Sequence, residues 1–196
     1  MKNNFDLFCC PVYRIDTNID NKNFLNYCYD IQKKDKGRIL SNNGGYQSNN
    51  LNLSDKQLEP LLSKITQSVF VYLNQCGFLL NLNLKISNMW LNINNYKDEN
   101  TIHNHPNCLF SGVYYIKTPK QCGDIKFYHP AVDLMSYDWL YEYTIPNEKN
   151  SHSWIFEAKE GQLFLFPSWL KHSVGSNLNK TENRISVSFN VIVEKK

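Results

Sequence analysis

The stretch Arg184-Ile-Ser-Val-Ser-Phe-Asn-Val-Ile-Val193 alternates polar and apolar residues without a break until its last two positions. In an extended chain successive side chains point to opposite faces, so Arg184, Ser186, Ser188 and Asn190 share one face while Ile185, Val187, Phe189 and Val191 share the other. Leu84 to Ile93 repeats the pattern, with Asn88, Trp90 and Asn92 opposed to Met89, Leu91 and Ile93. Two placements satisfy this alternation. The polar face can lie in water, as on a one-sided antiparallel sheet. Alternatively the apolar face packs against helices and the polar face lines a cavity inside a roll, where Arg184 would need an anion.

Period two continues outward from these strands. Cys108 to Lys117, Asp124 to Tyr128, Ser153 to Glu157, Gln162 to Phe166 and His172 to Gly175 complete seven short strands separated by turn residues, the pattern of a sandwich or barrel. Upstream the period changes. Leu58, Leu61, Leu62, Ile65, Val69 and Tyr72 recur at three and four, predicting a helix over Asp55 to Cys76 with Ser54 as its N-cap and Gly77 as its stop. A weaker helical pattern covers Lys22 to Lys33, and the paired glycines of Ser41-Asn-Asn-Gly-Gly-Tyr-Gln-Ser48 call for a turn or a close backbone approach. The expected fold is mainly β, an antiparallel jelly roll with N-terminal helices packed on one sheet. Residues 1–196 are expected to form one domain, with a helical and loop part over 1–81 and a jelly-roll core over 82–196.

Composition supports a folded chain. Of 196 residues, 42% are hydrophobic and 14% aromatic, too much apolar bulk for disorder. The apolar runs Phe78 to Leu80 and Leu163 to Phe166 fall far short of the roughly 20 residues of a membrane span. The formal charge of +3 is scattered, which gives no support for a nucleic-acid or membrane partner. The opening Met1-Lys-Asn-Asn-Phe-Asp6 lacks an apolar core and a cleavage site, so a cytoplasmic protein is expected. The six cysteines have neither disulfide-framework nor CxxC spacing and read as reduced thiols.

Five histidines are unevenly placed. His103 and His105, two apart, point the same way in an extended segment and can reach one metal; they can equally be two exposed loop histidines beside Pro106. His172 follows Phe166-Pro-Ser-Trp-Leu170 at a strand end. His129 and His152 read as surface or packing residues.

The order of parts is more specific than any one of them: His103-x-His105, a strand carrying Tyr114 and Tyr115, Gly123-Asp-Ile-Lys-Phe127, then His172 and Arg184-x-Ser186. It resembles the Fe(II)- and 2-oxoglutarate-dependent dioxygenases. The text at Ser41–Ser48, His103-Asn-His-Pro106, Ser111-Gly-Val-Tyr-Tyr115, Phe166–His172 and Arg184–Asn190 is similar to one bacterial and phage branch of that superfamily, and the resemblance covers nearly the whole chain. It implies a double-stranded β-helix. It further implies Fe(II) held by His103, His105 and His172, and 2-oxoglutarate as co-substrate, its remote carboxylate paired with Arg184 and hydrogen-bonded by Ser186. Tyr115, with Tyr114 as the alternate, would contact the same carboxylate; Asn92 and Trp90 would form cavity wall. No catalytic residue beyond the metal centre is implied. The partners would be dioxygen and an unidentified small-molecule or peptide substrate.

One departure stands out. His105 occupies the position where the family places Asp or Glu, leaving three neutral ligands, so weak iron binding is expected unless Asp124 or Glu99 supplies a carboxylate. In related halogenases an Ala or Gly at that position admits chloride; His105 fills the space, so halogenation is not expected. The rival functions are a cupin-like three-histidine oxygenase that does not use 2-oxoglutarate, with Arg184 on a substrate carboxylate, and a non-catalytic metal- or ligand-binding sandwich.

Overall fold

The strand Arg184–Val193 lies in the middle of a sheet, and that position decides which way its polar face looks. The computed structural model describes residues 8–79, 81–134 and 145–194; the Met1–Asp6 reading and Leu80 fall outside them. In chain order the elements are β1 (Tyr13–Asp16), α1 (Asn21–Lys34), β2 (Asn42–Asn43), β3 (Tyr46–Gln47), α2 (Glu59–Gln75), β4 (Leu84–Asn94), β5 (Glu99–His103), β6 (Phe110–Lys117), β7 (Ile125–Tyr128), β8 (Ser153–Phe156), β9 (Gln162–Pro167), β10 (His172–Val174) and β11 (Arg184–Val193). A six-stranded sheet runs β1-β9-β6-β11-β4-β3 and a five-stranded sheet β2-β5-β10-β7-β8. Every recorded pairing is antiparallel. This is the jelly roll expected from the alternation.

The apolar faces of β4 and β11 pack outward against the helices. Met89, Leu91, Ile93, Ile185, Val187 and Phe189 form one cluster with Phe24, Leu61, Ile65 and Leu73 of α1 and α2. Burying a side chain of this size contributes roughly 1.5–3 kcal/mol, which holds the helices to the six-stranded sheet. A second, smaller cluster that includes Val113, Ile125, Phe127, Phe164 and Phe166 fills part of the space between the sheets. The polar faces therefore look into the roll.

Local chemistry explains three of the helix ends. Asp20 caps α1 by accepting from Lys22 N at 3.0 Å. The cap expected at Ser54 sits one residue later: Asp55 Oδ1 accepts from Gln57 N, opening a short 3-10 turn over Lys56–Leu58 that leads into α2. A carboxylate accepts more strongly than a hydroxyl, and the Ser54 amide is already turned toward Asn52 Oδ1. At the other end Gly77 N donates to Asn74 O and Phe78 N to Leu73 O, with Gly77 at φ 73°, the paired bonds of a Schellman stop.

The Gly44-Gly45 pair, at φ 70° and 64°, connects β2 in one sheet to β3 in the other. Both residues occupy the left-handed region that a Cβ disfavours. β5 shows no apolar alternation in Glu-Asn-Thr-Ile-His, and neither it nor β1 was expected from the sequence.

Gly112 gives the packing between β6, β9 and β11 a direct test. An added Cβ would overlap Phe189 Cζ and come within 2.6 Å of Phe164 O. Gly112→Ala is expected to destabilise the protein by about 1–3 kcal/mol, as overpacked cores do, read as a lower urea midpoint with an unchanged m-value.

Candidate metal centre and anion chamber

Backbone pairing brings the three histidines together. His172 on β10 stands directly opposite His103 on β5. His105 lies two residues beyond the end of β5, where its amide donates to Ser168 O at 2.9 Å and ties its loop to the turn before β10. Ring centroids are 4.3 Å apart for His103 and His172, 5.0 Å for His103 and His105, and 5.2 Å for His105 and His172. One ligand nitrogen from each lies within 4.8 Å of the others, and among the described residues no acidic or cysteine side chain joins them.

Two rings are held by the backbone. His103 Nδ1 lies 2.7 Å from Thr101 O and His172 Nδ1 2.9 Å from Leu170 O. A ring nitrogen facing a carbonyl must carry the proton, which leaves the Nε2 lone pair of each ring free for a metal. Protonation does not compete at neutral pH. Burial pushes the His172 pKa down to about 3, helped by the neighbouring His103, and that of His105 to about 4, again with His103 adding to burial. His103 is lowered by burial as well.

The chamber beside the triad is lined by Trp90, Asn92, Ser186, Ser188 and Arg184 from the six-stranded sheet. Arg184 is 1% exposed. Its Nη1 donates to the carbonyls of Cys122 (2.6 Å), Gly123 (3.2 Å) and Gly175 (3.0 Å), while its Nε is buried without a partner. Burial lowers its pKa, yet a guanidinium stays charged. Among the described residues no carboxylate forms an ion pair with it.

Ser186 pairs with Tyr115 of β6 on one side and Asn92 of β4 on the other. The Tyr115 hydroxyl is fully buried and unpartnered, and burial raises its pKa, so it stays a neutral donor. The Arg184 Nε and the Tyr115 hydroxyl are thus two buried donors without a protein acceptor. An anion that also chelates a metal fits both ends.

Tyr114 is corrected by the geometry. It stands on the opposite face of β6, in the cluster under the helices, where its hydroxyl donates to Asn21 Oδ1 at 2.8 Å. Alternation along the strand excludes it from the chamber. Neither carboxylate offered in place of a third histidine reaches the triad. Glu99 accepts from Ser176 Oγ and Asn43 Nδ2, and Asp124 accepts from Ala158 N. His129 and His152 lie away from the triad, joined by a bond from His129 N to His152 O.

Two residues beside the site had no signal of their own in the sequence. Arg38 and Gln47 border a cleft that opens against His103 and His105. Only the Gly-Gly turn between them hinted at a built loop.

Comparison with known proteins agrees with the fold. A family model described as "Putative 2OG-Fe(II) oxygenase" matches residues 88–190. No curated protein matches the sequence. Among solved structures, a prolyl-4-hydroxylase from Pseudomonas putida superposes with a TM-score of 0.68 at 13% identity, covering 97% of this chain and 96% of its own. The non-heme α-ketoglutarate-dependent epimerase SnoN of nogalamycin biosynthesis gives 0.67 at 12% identity, covering 94% of this chain and 77% of its own. HygX from Streptomyces hygroscopicus, crystallised with nickel and 2-oxoglutarate, gives 0.64 at 8% identity, covering 94% and 83%. Identities this low show a shared fold; a hydroxylase and an epimerase on one scaffold leave the reaction open.

Proposed function

Because this chain belongs to the 2OG-Fe(II) oxygenase family, whose members are oxidoreductases that use Fe(II) and 2-oxoglutarate, we propose that it is a hydroxylase that couples decarboxylation of 2-oxoglutarate to oxidation of an organic substrate. Overall, a substrate C–H, dioxygen and 2-oxoglutarate become C–OH, succinate and carbon dioxide. The observation that carries this reading is Arg184, buried at 1% exposure with an unpartnered Nε, in the same chamber as three converging imidazoles.

His103, His105 and His172 would hold the iron, and Arg184, Ser186 and Tyr115 the remote carboxylate of 2-oxoglutarate. When bound, Fe(II) would supply a redox-active ion with open coordination positions for dioxygen chemistry, the electrons coming overall from 2-oxoglutarate and the substrate C–H. The protein's own work is positional. Thr101 O and Leu170 O fix the His103 and His172 rings and their protonation. The Arg184 charge and the neutral Tyr115 hydroxyl meet a carboxylate without moving a proton. Phe127, tilted, and Phe166, edge-on, pack with ring centroids 6.1 and 4.7 Å from that of His172, which is 4% exposed.

What supports treating residues 1–196 as one domain, with 1–81 attached to a roll over 82–196, is that α1 and α2 share a cluster with β4, β6, β9 and β11.

The test needs no substrate. Under anaerobic conditions, Fe(II) followed by 2-oxoglutarate should produce the weak visible charge-transfer band of a chelated complex. The band should be lost in His105→Ala. Iron binding with no band favours the second reading, a three-histidine oxygenase independent of 2-oxoglutarate, which the missing carboxylate ligand independently suggests. No iron binding at all would leave the roll a scaffold.

A further inference from the structure

A second cleft of about 450 Å³ adjoins the chamber, sharing Trp90, His103 and His105 with it. One of its walls is the loop from Asp35 to Asn49, and this loop is pinned throughout. The Asp35 carboxylate accepts from Gly37 N (2.9 Å), Asn49 N (2.6 Å) and Asn49 Nδ2 (2.6 Å). Asn42 Oδ1 accepts from Leu40 N (2.8 Å), and Ser48 N donates to Leu91 O (2.9 Å), tying the loop to β4. A loop held by this many bonds fixes the side chains it carries.

Two of those side chains each carry one polar atom without a partner, although Arg38 Nη2 donates to Asn50 Oδ1 at 3.0 Å. Arg38 N donates to Gln47 O at 2.8 Å, so the residues stand side by side. Gln47 is 2% exposed, and its Oε1 is buried without a donor; the Arg38 Nε is buried without an acceptor. The rest of the polar wall is different. Asn190 donates to Asn88 and accepts from Ser111, so those amides satisfy one another. Among the described residues no Asp or Glu lines the cleft, and none pairs with Arg38.

The cleft also has a direction. The Arg38 guanidinium lies 5.9 Å over the Trp90 ring, and the Trp90 and His105 rings are 5.6 Å apart. Trp90 is therefore a flat floor running from Arg38 to the triad. Leu40 (68% exposed) and Ile102 (57%) form an apolar rim. A molecule lying on that floor presents one end to Arg38 and Gln47 and its other end to the metal ligands.

We propose that this cleft is the substrate site, and that Arg38 and Gln47 together read an α-carboxylate with an N–H on the adjacent carbon, the end group of a free amino acid or of a peptide's C-terminal residue. The guanidinium takes the carboxylate and Gln47 Oε1 takes the N–H. The side chain then extends over Trp90 toward the triad, where the oxidised C–H would lie. The role as substrate site rests on the oxygenase reading; the recognition chemistry does not.

The test is ligand-observed saturation-transfer NMR on the full chain loaded with Zn(II) and 2-oxoglutarate. The probes are the twenty free L-amino acids, the matching tripeptides Gly-Gly-X, and the carboxamides of both sets. At least one free carboxylate should bind and its carboxamide should not. Arg38→Leu should weaken that binding at least tenfold, with Arg38→Lys recovering part of it. Gln47→Leu should weaken it too, but leave the desamino acid of the same probe unaffected. Binding confined to free amino acids or to tripeptides identifies the source.

No carboxylate bound by the wild type, or equal binding in Arg38→Leu, overturns the proposal. The anaerobic iron band, read on the same preparations, separates the two claims. A band without carboxylate binding sinks this inference alone, whereas Arg38-dependent binding without a band keeps the carboxylate site and removes the 2-oxoglutarate-dependent reading.

Discussion

Arg184→Met is expected to abolish 2-oxoglutarate binding while leaving a folded protein that still takes up iron. Removing one partner of a buried charge pair costs about 2–5 kcal/mol, or roughly thirtyfold and upward in affinity. Stability behaves differently because two terms oppose. Met gives up the bonds from Nη1 to Cys122 O, Gly123 O and Gly175 O, each about 1.5–3 kcal/mol for a charged donor. It also removes a buried guanidinium that, among the described residues, has no carboxylate in ion-pair contact and whose desolvation costs several kcal/mol. The second term offsets much of the first in the ligand-free protein.

The measurement is a thermal shift. In the wild type with iron, 2-oxoglutarate at 100 times its Kd should add about 2.7 kcal/mol of stability and raise Tm accordingly. In Arg184→Met that shift should vanish while the ligand-free Tm changes little. An undiminished shift would falsify the co-substrate assignment. Collapse of the ligand-free protein would show instead that Arg184 serves mainly to clamp the ends of β7 and β10.

The second large effect concerns the third histidine. His105→Asp, and His105→Glu with its longer reach, are expected to bind Fe(II) at least tenfold more tightly than the wild type, about 1.4 kcal/mol or more. Three neutral imidazoles leave the ion's full double charge uncompensated by the protein. A carboxylate at position 105 adds a direct attraction, and its desolvation penalty is offset by the cation it faces. Competition with a chromogenic chelator under anaerobic conditions gives the affinity, and His105→Ala should fall below the wild type. Equal iron affinity in all four proteins would mean that position 105 does not touch the metal.

Why the site was partly legible in the sequence follows from the distance over which each signal acts. Alternation is a nearest-neighbour property of an extended chain, so Arg184, Ser186, Asn92 and Trp90 could be assigned to one set of faces from their positions alone. The same rule separates Tyr115 from Tyr114, since one of two adjacent residues must face the helices. The spacing His103-x-His105 is equally local. Arg38 and Gln47 are nine residues apart on a loop with no periodicity, and nothing in their immediate neighbours announces that Arg38 N meets Gln47 O. β5 was missed for a related reason: Glu-Asn-Thr-Ile-His carries no apolar face, because two of its edges are satisfied by pairing with β2 and β10 rather than by burial.

The sequence by itself determined which residues share a face, both ends of α1 and the end of α2 to within a residue, though α2 starts at Glu59, four residues after the expected Asp55 and behind a 3-10 turn, and the order of histidines and arginine along the chain. All of these depend on covalent geometry and on contacts a few residues apart. Only the tertiary structure decided that the polar faces of β4 and β11 look inward. That choice requires β11 to lie between β4 and β6 with α1 and α2 on the other side, and a polar face turned toward a chamber reads the same in sequence as one turned toward water. The meeting of His172 with His103 across paired strands, and of Arg38 with the Trp90 floor, likewise rests on contacts between residues far apart in the chain, where burial and strand pairing, not local propensity, set the outcome.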